Sequence, residues 1–323
     1  MSERFDVICV GRVSADIYPL QAGLGLHEVE TFGKFLGGSA ANVAVAASRL
    51  GMTTALISHT GDDPFGRFVS NELAKFGVDP RYVTPVEGMQ TPVTFCEVFP
   101  PDNFPLYFYQ SVDVPYFSLR ADELDLEAIR TADVYWATLT GLAQEPSREA
   151  HHAAWRARGR IPNTVLDMDF RSRFWPSKTE AARELRRALP RVSVAIGNAE
   201  ECAIATGQTN PVAAARALLD LGVELAIVKQ GELGALGMTR SEAVMVPALA
   251  VETLNGLGAG DAFGGALCHG LVQGWPLERM LRFASAAGAI VATRLECANA
   301  MPTVAEVEAA LASGHAPDRE VQP

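Results

Sequence analysis

A chain of 323 residues, 48% of them hydrophobic, carries enough apolar material for one large core, and none of its apolar runs reaches the roughly 20 residues that cross a bilayer. A formal net charge of −11 argues against a nucleic-acid backbone as partner and requires any anion to be bound by a local arrangement of donors. The five cysteines (9, 96, 202, 268 and 297) are scattered without a C-x-x-C pair, and the first residues lack an export signal, so a reducing, cytoplasmic setting is expected rather than a disulfide or zinc framework.

In chain order, residues 5–11 form a short β-branched run that ends in glycine and predicts a buried strand; helical spacing follows at 41–50 and 65–76. Strand-like runs recur at 134–137, 164–166, 192–196 and 225–228, separated by helical stretches at 148–158, 179–189 and 211–221. The Ala- and Gly-rich last third predicts helices at 260–273, 277–294 and, capped by Thr303, 304–312. This alternation predicts an α/β fold: a doubly wound, mostly parallel sheet flanked by helices. Two segments, about 17–36 and 91–117, break the rhythm and read as one small β lid on a single domain spanning 1–315, with 316–323 a polar tail. His151 and His152 stand among charged residues and are expected on a solvated helix face.

The chemistry concentrates in Asn255-Gly-Leu-Gly-Ala-Gly-Asp-Ala-Phe263. Glycines at 256, 258 and 260 let backbone N–H groups converge on an anion at a helix N-terminus, where the aligned peptide dipoles favour negative charge. Asp261 beside such a nest is either a helix cap or a general base that takes a hydroxyl proton during phosphoryl transfer, while Gly258, Ala259 and Gly260 hold the phosphate. The G-x-x-x-x-G-K-[ST] loop and a G-x-G-x-x-G turn after the first strand are both absent, which disfavours P-loop and dinucleotide folds. A second glycine pair, Gly37-Gly38, precedes a helix bearing Asn42; with Asp16 it forms a set suited to a polyol.

The two glycine-rich signatures, in this order, resemble those of the ribokinase-like (PfkB) carbohydrate kinases, over roughly residues 5–312. The resemblance implies a β lid over the sugar, ATP along the carboxyl edge of the sheet, Mg2+, and room for a monovalent cation. Carried over by position, it implies Asp16, Gly37, Gly38 and Asn42 as sugar-binding residues, Gly258, Ala259 and Gly260 as the anion hole and Asp261 as the base. Asn198-Ala-Glu-Glu201 resembles the family's N-x-x-E motif, implying an indirect role for Glu201 at the Mg2+ site; its plain reading is an N-cap with first-turn acids. Lys229, Gly231 and Gly234 resemble the strand–turn–strand beside the nucleotide. Two positions depart from the family pattern: Asn255 stands where an Asp is usual, and Ser285 where many relatives carry Asn.

The stretch 166–175 (LDMDFRSRFW) gathers two carboxylates, two guanidiniums and an indole. It is either a solvated loop or a clamp in which Arg171 or Arg173 forms a bidentate pair with a substrate carboxylate, with Asp169 alongside and Arg12 as a further cation. A neutral sugar has no need of such a clamp. The D-x-D-x-R pattern ending in Trp resembles kinases of keto-deoxy sugar acids, and residues 11–16, 142–148 and 297–303 resemble the branch acting on 5-dehydro-2-deoxygluconate in myo-inositol catabolism. Kinases of 2-dehydro-3-deoxygluconate come next, then fructokinases and ribokinases. A catalytically silent sugar- or nucleotide-binding regulator on the same fold would be marked by a degraded nest or base, and here both are intact. The exposed edges of the lid predict pairing with a second copy as a homodimer.

Overall fold

The computed structural model describes residues 4–110 and 113–316. Apart from Ala316, the polar tail lies outside the described residues. The chain runs β1 (Val7–Val10), β2 (Ser14–Pro19), β3 (Phe32–Gly37), α1 (Ser39–Arg49), β4 (Thr54–Gly61), α2 (Pro64–Lys75), β5 (Val78–Asp79), β6 (Val83–Val86), β7 (Val93–Cys96), β8 (Leu106–Tyr109), α3 (Leu126–Thr131), β9 (Val134–Thr138) and α4 (Ser147–Arg158). It continues through β10 (Thr164–Asp167), α5 (Lys178–Ala188), β11 (Val194–Asn198), α6 (Ala199–Thr206), α7 (Pro211–Asp220), β12 (Leu225–Lys229), β13 (Ala235–Met238), β14 (Ala243–Val246), α8 (Ala259–Val272), α9 (Leu277–Ala292) and α10 (Val304–Ser313).

The large sheet has the order β14-β13-β12-β11-β10-β9-β1-β4-β5, with β6 also on β4; only β13 and β14 are antiparallel to their neighbours. Runs such as Val-Ile-Cys-Val in β1 and Val-Tyr-Trp-Ala-Thr in β9 are buried throughout, because helices cover both faces. Alternate residues therefore feed two cores. Val7, Cys9 and Trp136 pack towards α1, α8 and α9, whereas Ile8, Val10 and Tyr135 pack towards the layer containing α4, α5 and α7. Side-chain caps start the intervening helices: Asp63 accepts from Gly66 N, Ser177 from Glu180 N, Asn210 from Ala213 N and Thr303 from Glu306 N.

The strand order reverses at β1, which pairs with β4 on one side and β9 on the other, so a crevice opens at the carboxyl ends there. From that edge the chain crosses directly into the lid, a four-stranded sheet of order β3-β2-β7-β8. Asp16 lies inside lid strand β2, opposite Phe35 and Thr94. The end of the second lid segment, Pro115–Phe117, is a 3-10 turn buried in the main core rather than lid strand.

The expectation for His151 and His152 is corrected: both are buried, at 1% and 4% exposure. The inward face of α4 carries them. His151 Nδ1 lies 2.8 Å from the Ser147 carbonyl and its ring fills the space left by Gly141, whose absent Cβ would fall 2.2 Å from Nε2. His152 stands edge-on to Trp155, 3.9 Å from the buried Glu184. Burial pushes both pKa values down, so both rings are neutral packing elements at neutral pH.

Candidate active site

Two small residues decide how closely α8 lies on α1. A Cβ on Gly265 would fall 2.3 Å from the Ala46 Cβ and 2.8 Å from the Ala47 nitrogen, and one on Gly264 would fall 2.7 Å from the Trp136 ring. This approach brings Asn42, on α1, against the first turn of α8, where its Nδ2 donates to Asp261 Oδ2 at 2.7 Å. The α8 N-cap is Gly258 at φ 83°, and no side chain caps the helix. The first-turn N–H groups of Gly260 and Asp261 have no acceptor within the α-helical pattern and are presented to an anion, whereas Ala259 N–H makes a long turn bond to the Gly256 carbonyl at 3.4 Å. Burial, with Asp169 nearby, raises the Asp261 pKa to about 6, while Asn42, Arg171 and Lys229 hold it from going further. That value suits a base working near neutrality.

Around Asp261 the carboxyl edge gathers a dense set of charges. Lys229 ends β12, and its Nζ lies 3.3 Å from where a Cβ on Gly260 would be, so the glycine keeps the nest open beside a cation. Burial works against the Lys229 charge, but Asp167, Glu201 and Asp261 overcome it and raise its pKa. Asn198 and Glu201 form a reciprocal capping box at the start of α6, and Glu201 Oε1 also accepts from Phe170 N at 3.2 Å. Glu201 thus ties the loop after β10 to α6. Burial raises the pKa of Asp167 well above its usual value, and its Oδ1 has no hydrogen-bond partner. Gly231 and Gly234 bracket the turn from β12 to β13 at the same edge.

On the lid side, Gly37 and Gly38 prove to be matters of close approach within the protein. A Cβ on Gly37 would overlap the Asp16 carboxyl at 2.0 Å, and Gly38, at φ 102°, lies so close that its Cβ would fall 2.5 Å from the Arg12 carbonyl oxygen. Asp16 accepts from Ser14 Oγ at 2.8 Å and Tyr18 OH at 3.3 Å. Burial raises its pKa against the pull of Arg12. Arg171 Nη2 sits 2.7 Å from Asp169 Oδ1, and despite burial this pair, with Arg12 behind it, holds the Asp169 pKa low. Asn42 Oδ1 is buried without a partner, leaving an acceptor for a ligand hydroxyl beside the base.

The structure brings Asp16, Asn42, Asp169, Arg171, Glu201, Lys229 and Asp261 into one electrostatically connected site. Sequence reasoning left out Asp167, although it lay in the stretch already singled out, and Phe108, a lid residue whose ring has Arg12 and Arg173 at 5.5 and 5.8 Å. The sequence of β8, Leu-Tyr-Phe-Tyr, carries no alternation that singles out Phe108. Gly258 is backed by Cys297, whose Sγ lies 2.8 Å from Tyr18 OH.

The donor set suits a nucleotide phosphate and a divalent cation. An uncapped, glycine-lined helix start faces Lys229, and the unpartnered oxygens Asp167 Oδ1 and Asp169 Oδ2 offer acceptors to a hydrated cation. The Asn255 side chain is engaged within the protein: its Nδ2 donates to the Leu295 carbonyl at 2.6 Å, and its Oδ1 accepts from Leu257 N at 3.0 Å. Ser285 sits half-buried on α9.

Comparison with known proteins gives the same picture. The profile of the pfkB family carbohydrate kinase matches residues 4–304. A protein of Geobacillus kaustophilus named 5-dehydro-2-deoxygluconokinase is 33% identical over 315 residues, covering 94% of this chain and 92% of its own. One of the same name from Shouchella clausii is 30% identical, covering 97% of each. Among solved structures, a ribokinase II from E. coli in complex with ATP and Mg2+ superposes with a TM-score of 0.86 at 23% identity, covering 95% and 99% of the two chains, and so supports the fold. A Vibrio cholerae fructokinase double mutant with fructose, ADP and potassium bound gives 0.82 at 25% identity, covering 94% and 97%.

Proposed function

This chain belongs to the pfkB family of carbohydrate kinases, and from that premise we propose that it transfers the γ-phosphoryl group of ATP to the 6-hydroxyl of 5-dehydro-2-deoxygluconate, a step of myo-inositol catabolism. The observation that carries the reading is the Asn42–Asp261 hydrogen bond at the uncapped start of α8, which sets a base of pKa about 6 beside a phosphate nest. Near-full-length relatives that carry this name, and the guanidiniums of Arg12, Arg171 and Arg173 on the lid side, support an acidic substrate.

Asp261 accepts the proton of the attacking hydroxyl as its oxygen bonds to phosphorus, and the bond from phosphorus to the bridging oxygen of the leaving diphosphate breaks. Asn42 keeps the carboxylate aimed and offers its free Oδ1 to a neighbouring hydroxyl. The first-turn N–H groups of α8 and the Lys229 ammonium stabilise charge on the transferring oxygens. When bound, Mg2+ neutralises the phosphates; Asp167 and Asp169 would hold it through water, and Glu201 positions their loop. The five free cysteines, all buried, fit a reducing cytoplasmic setting, and among the described residues no helix is long and apolar enough to cross a membrane. The outer face of the lid supports a homodimer.

The test is a coupled ADP-release assay with ATP and Mg2+ over 5-dehydro-2-deoxygluconate, 2-dehydro-3-deoxygluconate, fructose, ribose and adenosine. Turnover concentrated on the first is expected. Preference for the second would keep the chemistry and change the substrate, preference for a neutral sugar would remove the acid, and silence on all five would point to a binding protein.

A further inference from the structure

Three guanidiniums line the lid side of the site, and their surroundings differ sharply. Arg171 already has an anion: Asp169 is 2.7 Å from its Nη2, and although the Arg171 Nε is itself unpartnered, the charge is balanced. Arg173 is exposed and touches the Phe108 ring with its cationic face. Arg12 is only 7% exposed, yet among the described residues it makes no hydrogen bond and no ion pair, and its Nε is buried without a partner. Asp16 and Asp169 lie within electrostatic range of it, but Asp16 is taken by Ser14 and Tyr18, and Asp169 by Arg171.

A guanidinium so nearly buried and without a bound anion is costly, because it has lost most of its hydration and arginine does not shed its proton. Its planar fork of donors matches a carboxylate in two parallel hydrogen bonds. Phe108, on lid strand β8, has this fork and the Arg173 guanidinium 5.5 and 5.8 Å from its ring centre. An anion held by Arg12 beside that ring would therefore also hold the lid against the body.

Resting on the sugar-acid reading above, we propose that Arg12, rather than Arg171, receives the carboxylate of the substrate, with Arg173 as the second cation at Phe108, and that Arg171 is a positioning residue that holds Asp169. The carboxylate and the reacting hydroxyl lie at opposite ends of a six-carbon chain, which matches the placement of Arg12 on the lid side and Asp261 on the nest side. Arg12 then sets specificity for acids over neutral sugars.

The experiment pairs Arg12→Gln and Arg171→Gln with two substrates, 5-dehydro-2-deoxygluconate and its primary amide, which keeps the shape and removes the charge. Arg12→Gln is expected to raise KM for the acid at least 30-fold with kcat within about threefold, and to leave KM for the amide unchanged. Arg171→Gln is expected to move both substrates alike, chiefly in kcat. Thermal unfolding gives a readout independent of turnover: the acid should raise Tm of the wild type and of Arg12→Lys, but not of Arg12→Gln. Equal effects of Arg12→Gln on acid and amide, or a selective loss in Arg171→Gln instead, would overturn the proposal. If the wild type prefers the amide or a neutral sugar, it is the sugar-acid reading itself that fails, and the wild-type panel reveals this before any variant is made.

Discussion

Asp261 carries two opposing demands. As a base it must be ionised at neutral pH, yet burial and the neighbouring Asp169 raise its pKa to about 6, so its charge is held at a cost. An unfolded aspartate titrates near 3.8, so above pH 6 the native state bears the full penalty, of the order of 3 kcal/mol; the penalty shrinks as pH falls from 6 towards 4 and vanishes once both states are protonated. Asp261→Asn should therefore lower kcat by about 10^2- to 10^4-fold while raising Tm at pH 8, with the gain fading at pH 5. The new amide also has an acceptor, the free Oδ1 of Asn42. In the wild type, kcat/KM should fall with unit slope on the acid side, around an apparent pKa near 6. Retention of a tenth of the activity, or a Tm gain that grows as pH falls, would remove Asp261 from the role.

At the scale of elements, the site depends on how nearly two helices touch. Gly265 lets α8 approach α1 until Asn42 reaches Asp261, though Gly265 itself takes no part in the reaction. Gly265→Val should force the helices apart, destabilise the fold by about 1–3 kcal/mol, and lower kcat at least tenfold with the circular dichroism of the native fold retained. A wild-type kcat would mean that the bond survives without the close approach. This dependence also explains what the sequence made legible. Buried runs and helical spacing identify the elements, and the clustered glycines 256, 258 and 260 identify the nest, because backbone demands leave local marks. Partnership leaves none. That Arg12 is buried without a partner and that His151 fills the gap left by Gly141 depend on how the chain folds back on itself. Charged neighbours in the sequence made His151 and His152 look solvated, although one face of α4 is turned wholly inward.

For the whole molecule, the lid poses a problem that the main sheet does not. The large sheet is covered by helices on both faces, whereas the lid has four strands, with open edges at β3 and β8, and large apolar groups in contact with solvent. Leu20, Phe32, Tyr107 and Tyr109 are 54%, 39%, 40% and 65% exposed, and Phe95 joins Phe32 and Tyr109 in edge-to-face contacts at 5.8 and 5.2 Å. Such a strip is a liability on a lone sheet and an asset if a second copy covers it. A chain of net charge −11 repels its own copies at long range, so association must come from short-range burial of this strip and should strengthen with added salt. Light scattering should therefore give twice the chain mass at micromolar concentration, and Phe32→Ser combined with Tyr109→Ser should give the single-chain mass with the fold intact. Because β8 also carries Phe108, whose ring meets both Arg12 and Arg173, separating the copies should raise KM for the substrate more than KM for ATP. A monomeric wild type would leave the strip exposed in solution and remove the second copy from the account of lid closure.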